Sequence, residues 1–265
     1  MSRAVTCQVA SMTLITGALW FLTGSALPAI AQTVATPSQS TAAPQNSVKA
    51  VLELYTSQGC SSCPPADALL RSYVARQDVI ALSFPVDYWD YLGWKDTFAK
   101  AKFTERQRAY GRQRGDGKIY TPQMVVDGLA HTIGSSSSEI DQAIGANAAK
   151  FARSRVPVVM RSEGGQLIIE AGNAPDGSEL REANIWLAMV QPEGEIPVRA
   201  GENRGRTLKY YNVVRELTPV GMWSGKAMTV RLDRESIAQP GAESSAVLLQ
   251  SKSGQIIGAA MLKKL

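Results

Sequence analysis

The sequence is poor in the side chains from which many enzyme sites are built: it has a single histidine, His131, and only three cysteines in 265 residues. One histidine and the absence of a nucleophile-elbow motif leave little for a hydrolase triad. The stretch after residue 154 contains no cysteine or histidine, so it offers no metal ligands of those types. Basic residues exceed acidic ones by only five and are spread along the chain, which argues against nucleic-acid binding.

Long apolar runs are also missing, and the longest one, residues 12–22, is too short to span a bilayer comfortably. It follows Arg3 and precedes the small-x-small sequence Ala29-Ile30-Ala31, a pattern typical of a signal peptide. We therefore expect cleavage after residue 31, a flexible leader over residues 32–47, and a periplasmic or secreted protein without membrane association. An uncleaved anchor is the alternative.

Removal of residues 1–31 takes Cys7 with it and leaves Cys60 and Cys63 as the only cysteines. They stand two residues apart between a predicted buried strand and a predicted helix, which is the sequence form of a dithiol redox centre. Backbone N–H groups at the helix start favour a thiolate at Cys60, and Cys63 lies one turn further on. Asp67 also suits a helix start. The alternative is a small disulfide that only links a surface loop.

Hydrophobic periodicity divides the rest of the chain into two parts. Up to about residue 153 it predicts strands alternating with helices. The strands are at 48–55, at 79–86 and from Pro122 to a hairpin turn at Asp127-Gly128. The helices are one after the cysteines, with two prolines in its first turn, a polar one over 97–113 and a closing one after residue 138. Beyond that it predicts short strands and no strong helix: 156–161, 166–171, 185–190, 207–214, 227–232, 246–250 and 255–262.

This order of elements, with Cys60-x-x-Cys63 at the first strand–helix junction and Thr121-Pro122 opening the third strand, resembles the thioredoxin fold. The segments 54–67, 86–96 and 120–123 are more specifically similar to an uncharacterised family of secreted thioredoxin-like proteins, domain of unknown function 1223. The resemblance extends over essentially the whole mature chain, including residues 201–203 and 211–214 in its second half. It implies an α/β thioredoxin-like domain at residues 48–153, with a mixed sheet flanked by helices and a helical insertion, followed by an all-β sandwich-like domain at residues 154–265.

The resemblance also implies roles for residues around the cysteines. Pro122 is expected to follow a cis peptide bond and to face the cysteine pair, and Thr121 to offer its backbone to an extended substrate. Many thioredoxin-like proteins carry a proton-shuttling acid six residues before the first cysteine, but Leu54 occupies that position here. Glu53, one residue earlier, is either the shuttle or an ordinary paired glutamate.

Together these features predict a thiol–disulfide oxidoreductase. Cys60 attacks a disulfide sulfur and Cys63 resolves the mixed disulfide. The partners are thiols or disulfides of proteins or small molecules, and no cofactor is needed beyond the Cys60–Cys63 disulfide itself. Tyr88, Trp89 and Trp94 either rim the site and bind substrate or pack the insertion onto the core.

Two other function classes remain open at this stage. Two thiolates suit Cu(I), so the chain is alternatively a copper-handling thioredoxin-like protein, although His131 is the only histidine available. The sequence is also compatible with a non-catalytic binding module whose disulfide only stabilises a loop. Exchange with other proteins requires Pro122 beside the cysteines and a sulfur that solvent reaches. A structure with Pro122 far from the cysteines, or with both sulfurs buried away from solvent, would end the case for it.

Overall fold

The computed structural model of the chain describes residues 48–151 and 155–265 as a mixed α/β structure built on one large mixed sheet. The predicted signal peptide and the predicted leader at residues 32–47 lie outside the described residues. Within the described part, no helix is long and apolar enough to cross a membrane.

The first half alternates strands and helices in the predicted order. Its elements are β1 (Ala50–Thr56), α1 (Pro64–Val74), β2 (Val79–Pro85), α2 (Ala101–Arg114), β3 (Gln123–Val126), β4 (Ala130–Ile133) and α3 (Ser137–Phe151). Helix α2 begins four residues later than the sequence pattern indicates. The reason is Asp96, whose carboxylate accepts the N–H groups of Phe98 and Ala99 and holds this segment in a turn.

The second half is mostly strand. Its elements are β5 (Val158–Glu163), β6 (Gln166–Ala171), β7 (Ala183–Pro197), β8 (Thr207–Trp223), β9 (Met228–Asp233), α4 (Arg234–Ile237), β10 (Ser244–Ser251) and β11 (Ile256–Leu262). Strands β7 and β8 are much longer than the predicted ones because they form one continuous antiparallel hairpin with two register shifts. The single-turn helix α4 was not predicted.

Strands from both halves share one eight-stranded sheet, in the order β11-β10-β7-β8-β2-β1-β3-β4. Strand β1 runs parallel to β2 and antiparallel to β3, and β8 lies parallel to β2. The junction between the halves is short: Ser83 pairs with Val213, and the side chain of Asn212 donates to the Ala81 carbonyl over 3.0 Å. The predicted division at residue 154 stays a prediction, but the sheet continues across it.

The sheet is covered on both faces, which explains why every residue of β1 is buried. Leu52 and Leu54 face helices α1 and α3. Val51 and Tyr55 face the opposite side, in a cluster that α2 shares with β7, β8, β10 and β11. Because Glu53 alternates with the leucines along the strand, it lies on the α2 side.

A second sheet, β5-β6-β9, packs against β7, β10 and β11 through another apolar cluster, so the C-terminal half has two β layers. Trp223 and Ile185 are buried between these layers. The larger of the two layers is the same sheet that carries β1 and β2. The hydrophobic core therefore extends from α2 through to the C-terminal strands.

Candidate functional site

The candidate site lies where β1 ends and α1 begins. Cys60 and Cys63 form a disulfide, and Cys63 is the residue that immediately precedes the helix. Two prolines occupy the first helical positions, where a missing N–H costs little. The loop is held from within, since the Cys60 N–H donates to the Ser57 carbonyl and the Cys63 N–H to the Cys60 carbonyl, each over 3.2 Å.

Pro122 lies close to the first turn of α1, with only Gly134 between them. The Thr121–Pro122 peptide bond is cis, and Pro122 is buried. Gly134 fills the narrow space between them: a Cβ atom there would lie 3.1 Å from Pro122 Cβ and 3.3 Å from Ala66 Cβ. The structure thus brings Pro122 to the helix turn that begins at Cys63.

Trp89 connects this proline loop with the cysteine loop. Its indole N–H donates to the Thr121 hydroxyl over 2.7 Å, and a Cβ atom on Gly59 would lie 2.9 Å from Trp89 Cβ. Tyr88 packs on Trp89, with ring centroids 6.3 Å apart, and both side chains are half-buried. Trp94 instead donates its indole N–H to the side chain of Gln58 over 2.8 Å, which supports the loop just before the cysteines.

Residues 201–206, at the tip of the β7–β8 hairpin, bind the cysteine loop from the C-terminal half; we call this segment the clamp. The side-chain amide of Asn203, fully buried, donates to the carbonyls of Gln58 (3.0 Å) and Cys60 (2.9 Å). The exposed carboxylate of Glu202 accepts the N–H of Ser61 over 3.1 Å. Sequence reasoning missed these contacts, although residues 201–203 belong to the segments that carry the family resemblance.

Both cysteines are buried: Cys60 is 1% exposed and Cys63 is 0% exposed. The solvent-facing part of the loop is Ser61 and Ser62. Two contacts help to enclose this loop: the clamp binds the Cys60 carbonyl, and Trp89 lies against Gly59. The expected solvent-reachable sulfur is therefore not present in this conformation, and this burial counts against direct exchange with a protein partner unless the loop opens.

The structure does not bring Glu53 to the cysteines. Its carboxylate pairs with Arg106 of α2, at 2.7 Å and 2.9 Å, and also accepts hydrogen bonds from Tyr110 (2.5 Å) and Tyr55 (3.1 Å). Burial by itself lowers the pKa of Arg106, but the charge of Glu53 overrides this and raises it. Glu53 is thus the paired glutamate of the two alternatives, on the sheet face opposite α1.

Two other acids lie near the cysteines. Asp67, 3% exposed, stands four residues after Cys63, and burial raises its pKa well above the usual value. Burial also raises the pKa of Asp96 to about 6, although its carboxylate accepts three backbone N–H groups, including that of Gln58. The signal for Asp67 was its helical spacing with the apolar Leu70, which places it on the buried face.

His131 lies in β4 and not in a turn. Its ring contacts the hydroxyl of Tyr120 (2.8 Å) and the carboxylate of Asp116 (3.1 Å), and burial lowers its pKa. In the portion of the chain that the structure describes, no group of three or more His, Cys, Asp or Glu side chains is arranged to hold a metal ion. Copper handling stays a prediction.

Comparison with known proteins identifies relatives of the chain without an assigned activity. The family DUF1223, described as a protein of unknown function, matches residues 51–250. A crystal structure of a protein from Agrobacterium tumefaciens is similar over 82% of this chain and 94% of its own, with 37% sequence identity and a TM-score of 0.72. No curated protein matches.

Proposed function

The chain belongs to the DUF1223 family, and we propose that it is a periplasmic or secreted thiol–disulfide oxidoreductase with a thioredoxin-like N-terminal half. The observation that carries this proposal is the Cys60–Cys63 disulfide at the first turn of α1, directly after a buried parallel strand. The position of the cis proline Pro122 close to that turn, across Gly134, supports the thioredoxin-like interpretation. The signal-peptide pattern of residues 1–31 supports export.

In the proposed reaction the reduced protein carries two thiols. The Cys60 thiolate attacks one sulfur of a substrate disulfide, and the other substrate sulfur leaves as a thiolate that takes a proton from solvent. The Cys63 thiol then loses its proton and attacks the Cys60 sulfur, which releases the second substrate thiol. Two electrons pass to the substrate and the Cys60–Cys63 bond forms. The reverse sequence oxidises a substrate dithiol.

Exchange by this route requires the clamp to separate from the cysteine loop. Three hydrogen bonds, two from Asn203 and one to Glu202, hold it there. At about 0.5–1.5 kcal/mol net for each bond, separation costs on the order of 2–4 kcal/mol. An open form at this cost is a minor but accessible population. The clamp therefore limits the rate of exchange without abolishing it.

The burial of both cysteines favours a second candidate, a non-catalytic binding module. In that case the disulfide fixes the loop between β1 and α1, and the clamp contributes to the same rigid structure. The two candidates differ in one measurable property, the reactivity of the disulfide in the native protein.

The experiment that tests the proposal measures the rate at which dithiothreitol reduces the disulfide in native protein, and its equilibrium with glutathione. The proposal expects reduction without unfolding, and an approximately tenfold faster rate for Asn203→Ala, because the loss of two hydrogen bonds is worth about 1.4 kcal/mol or more. The matched control is Asn147→Ala. Asn147 lies on α3, and its buried side-chain amide also donates to a backbone carbonyl, that of Val126. A disulfide that reacts only when the protein is unfolded would establish the non-catalytic module instead.

A further inference from the structure

Asp67 is a buried acid whose carboxylate oxygens make no hydrogen bond of normal geometry to the described residues. Its side chain lies on the inner face of α1 with Ala66 and Leu70, and within the described residues neither carboxylate oxygen has a hydrogen-bond partner. Burial of a carboxyl group without partners destabilises a fold, so a purely structural position would normally hold an apolar residue. An acid at such a position is therefore a candidate for a chemical role.

The position of Asp67 relative to Cys63 suggests that role. The backbone N–H of Asp67 donates to the Cys63 carbonyl over 3.1 Å, so the two residues are one helical turn apart. Cys63 itself has helical backbone angles. Side chains at this spacing lie on the same face of a helix, and those of later residues lean back toward the N-terminus. Asp67 and Cys63 therefore lie on the same face of the helix, one turn apart.

The groups around the Asp67 carboxyl group determine its protonation state. The titratable groups that face it from other elements are Asp96, in the segment before α2, and the hydroxyl of Tyr210 in β8. Burial and the charge of Asp96 both favour the neutral form of Asp67, whereas the nearby Thr56 hydroxyl, which makes no hydrogen bond of normal geometry to it, favours the charged form. The hydroxyl of Tyr210 also lacks a partner among the described residues.

We propose that Asp67 is the catalytic acid–base partner of Cys63, an inference that rests on the proposed function. In molecules whose Asp67 is ionised, attack of Cys63 on the mixed disulfide transfers the Cys63 proton to the Asp67 carboxylate, the Cys63 sulfur bonds to Cys60, and the substrate thiolate leaves. In the reverse direction the Asp67 carboxylic acid protonates Cys63 as the Cys60–Cys63 bond breaks. Electrons and protons balance in both directions without a further reactant.

The test separates the two steps of the reaction with reduced protein and an aromatic disulfide reagent that releases one coloured thiolate at each step. In Asp67→Asn we expect an unchanged first step, attack by Cys60, and a second step slowed about 10- to 100-fold. We also expect the second step to lose the pH dependence due to the carboxyl group. Only the ionisation of the Cys63 thiol, near pKa 8.5 in an unperturbed cysteine, would then remain.

Asp127→Asn is the matched control, because Asp127 is another buried acid with a raised pKa, but it binds the Val51 N–H at the opposite end of β1. Both of its steps should equal those of the wild type. Asp67→Ser, which cannot carry the proton at neutral pH, serves as the second variant if Asp67→Asn does not fold. Equal slowing of both steps, or a second step at the wild-type rate, would refute the role of Asp67. A wild-type protein that releases no coloured thiolate would refute the proposed function itself.

Discussion

Replacement of Glu53 by glutamine removes the carboxylate that binds Arg106, Tyr110 and Tyr55 in the buried space between β1 and α2. The Arg106 guanidinium is then left without its counter-charge. The glutamine oxygen can replace one acceptor, but its amide group presents N–H donors where Arg106 also donates. Arg106 lies over the rings of Tyr110 and Trp186, at 5.0 Å and 5.7 Å from their centroids, and is only 9% exposed, so water can solvate little of its charge. We expect the cost to appear in stability and not in disulfide exchange.

The size of the effect follows from the burial of both partners, whose side chains are 7% and 1% exposed. Breaking a buried ion pair by removing one partner costs about 3–5 kcal/mol, a large share of the roughly 5–15 kcal/mol that stabilises a typical domain. For a chain of this length, 1 kcal/mol lowers Tm by about 2–4 °C, so we expect a decrease of about 6–20 °C.

Urea unfolding monitored by circular dichroism measures this loss, and dithiothreitol reduction of the folded variant measures exchange. The control is Glu105→Gln, because Glu105 pairs with Arg108 at the exposed surface of the same helix and should change stability by less than about 0.5 kcal/mol. The double variant Glu53→Leu/Arg106→Met should recover much of the loss, since it removes both charges. A Glu53→Gln protein that keeps its stability but exchanges disulfides slowly would refute this reasoning and restore Glu53 as the proton shuttle.

Three further outcomes are expected. Burial raises the pKa of Asp96 and that of Asp127 to about 6, so the native state binds these protons more tightly than the unfolded chain does. With respect to these two groups, stability is therefore highest below about pH 4 and falls by about 3 kcal/mol for each group as the pH rises to about 6. Urea unfolding across this range should show a shallower dependence of the free energy of unfolding on pH in Asp127→Asn. Gly134→Ala should destabilise the protein by about 1–3 kcal/mol, because a Cβ there would lie 2.6 Å from an atom of the core. Gly145→Ala, in open space on α3, should stabilise it by about 0.5–1 kcal/mol, and equal Tm shifts for the two glycines would contradict the packing argument.

Local patterns predicted the elements of the first half because these elements depend on short-range chemistry. The apolar run of β1, the prolines after Cys63 and the Asp127-Gly128 turn each determine their own geometry, and both turn residues indeed have positive φ. The pairing of Cys60 with Cys63 followed equally directly, because the signal-peptide prediction left no other cysteine. These features require no knowledge of distant contacts.

Such local patterns did not predict contacts between residues far apart in the sequence. Nothing in the sequence of β8 shows that Asn212 bridges to β2, so the continuation of the sheet into the second half was not predicted. The burial of Cys60 was missed for the same reason, because Asn203 lies 143 residues further along the chain. Glu53 was considered as a proton shuttle because of its position relative to the cysteines. Its surroundings, however, depend on Arg106 of α2, and the polar sequence of this helix did not indicate which of its faces is buried.

The position of β8 beside β2 determines what a shortened chain would expose. A fragment that ended near residue 153 would lose the neighbour of β2, and that strand would present bare amide and carbonyl groups along an apolar edge. The same cut would remove Asn203 and leave the cysteine loop uncovered. Such a fragment would thus expose both the cysteine loop and an unpaired strand edge that favours aggregation. Truncation alone would therefore not produce a first half that is soluble and has an accessible sulfur.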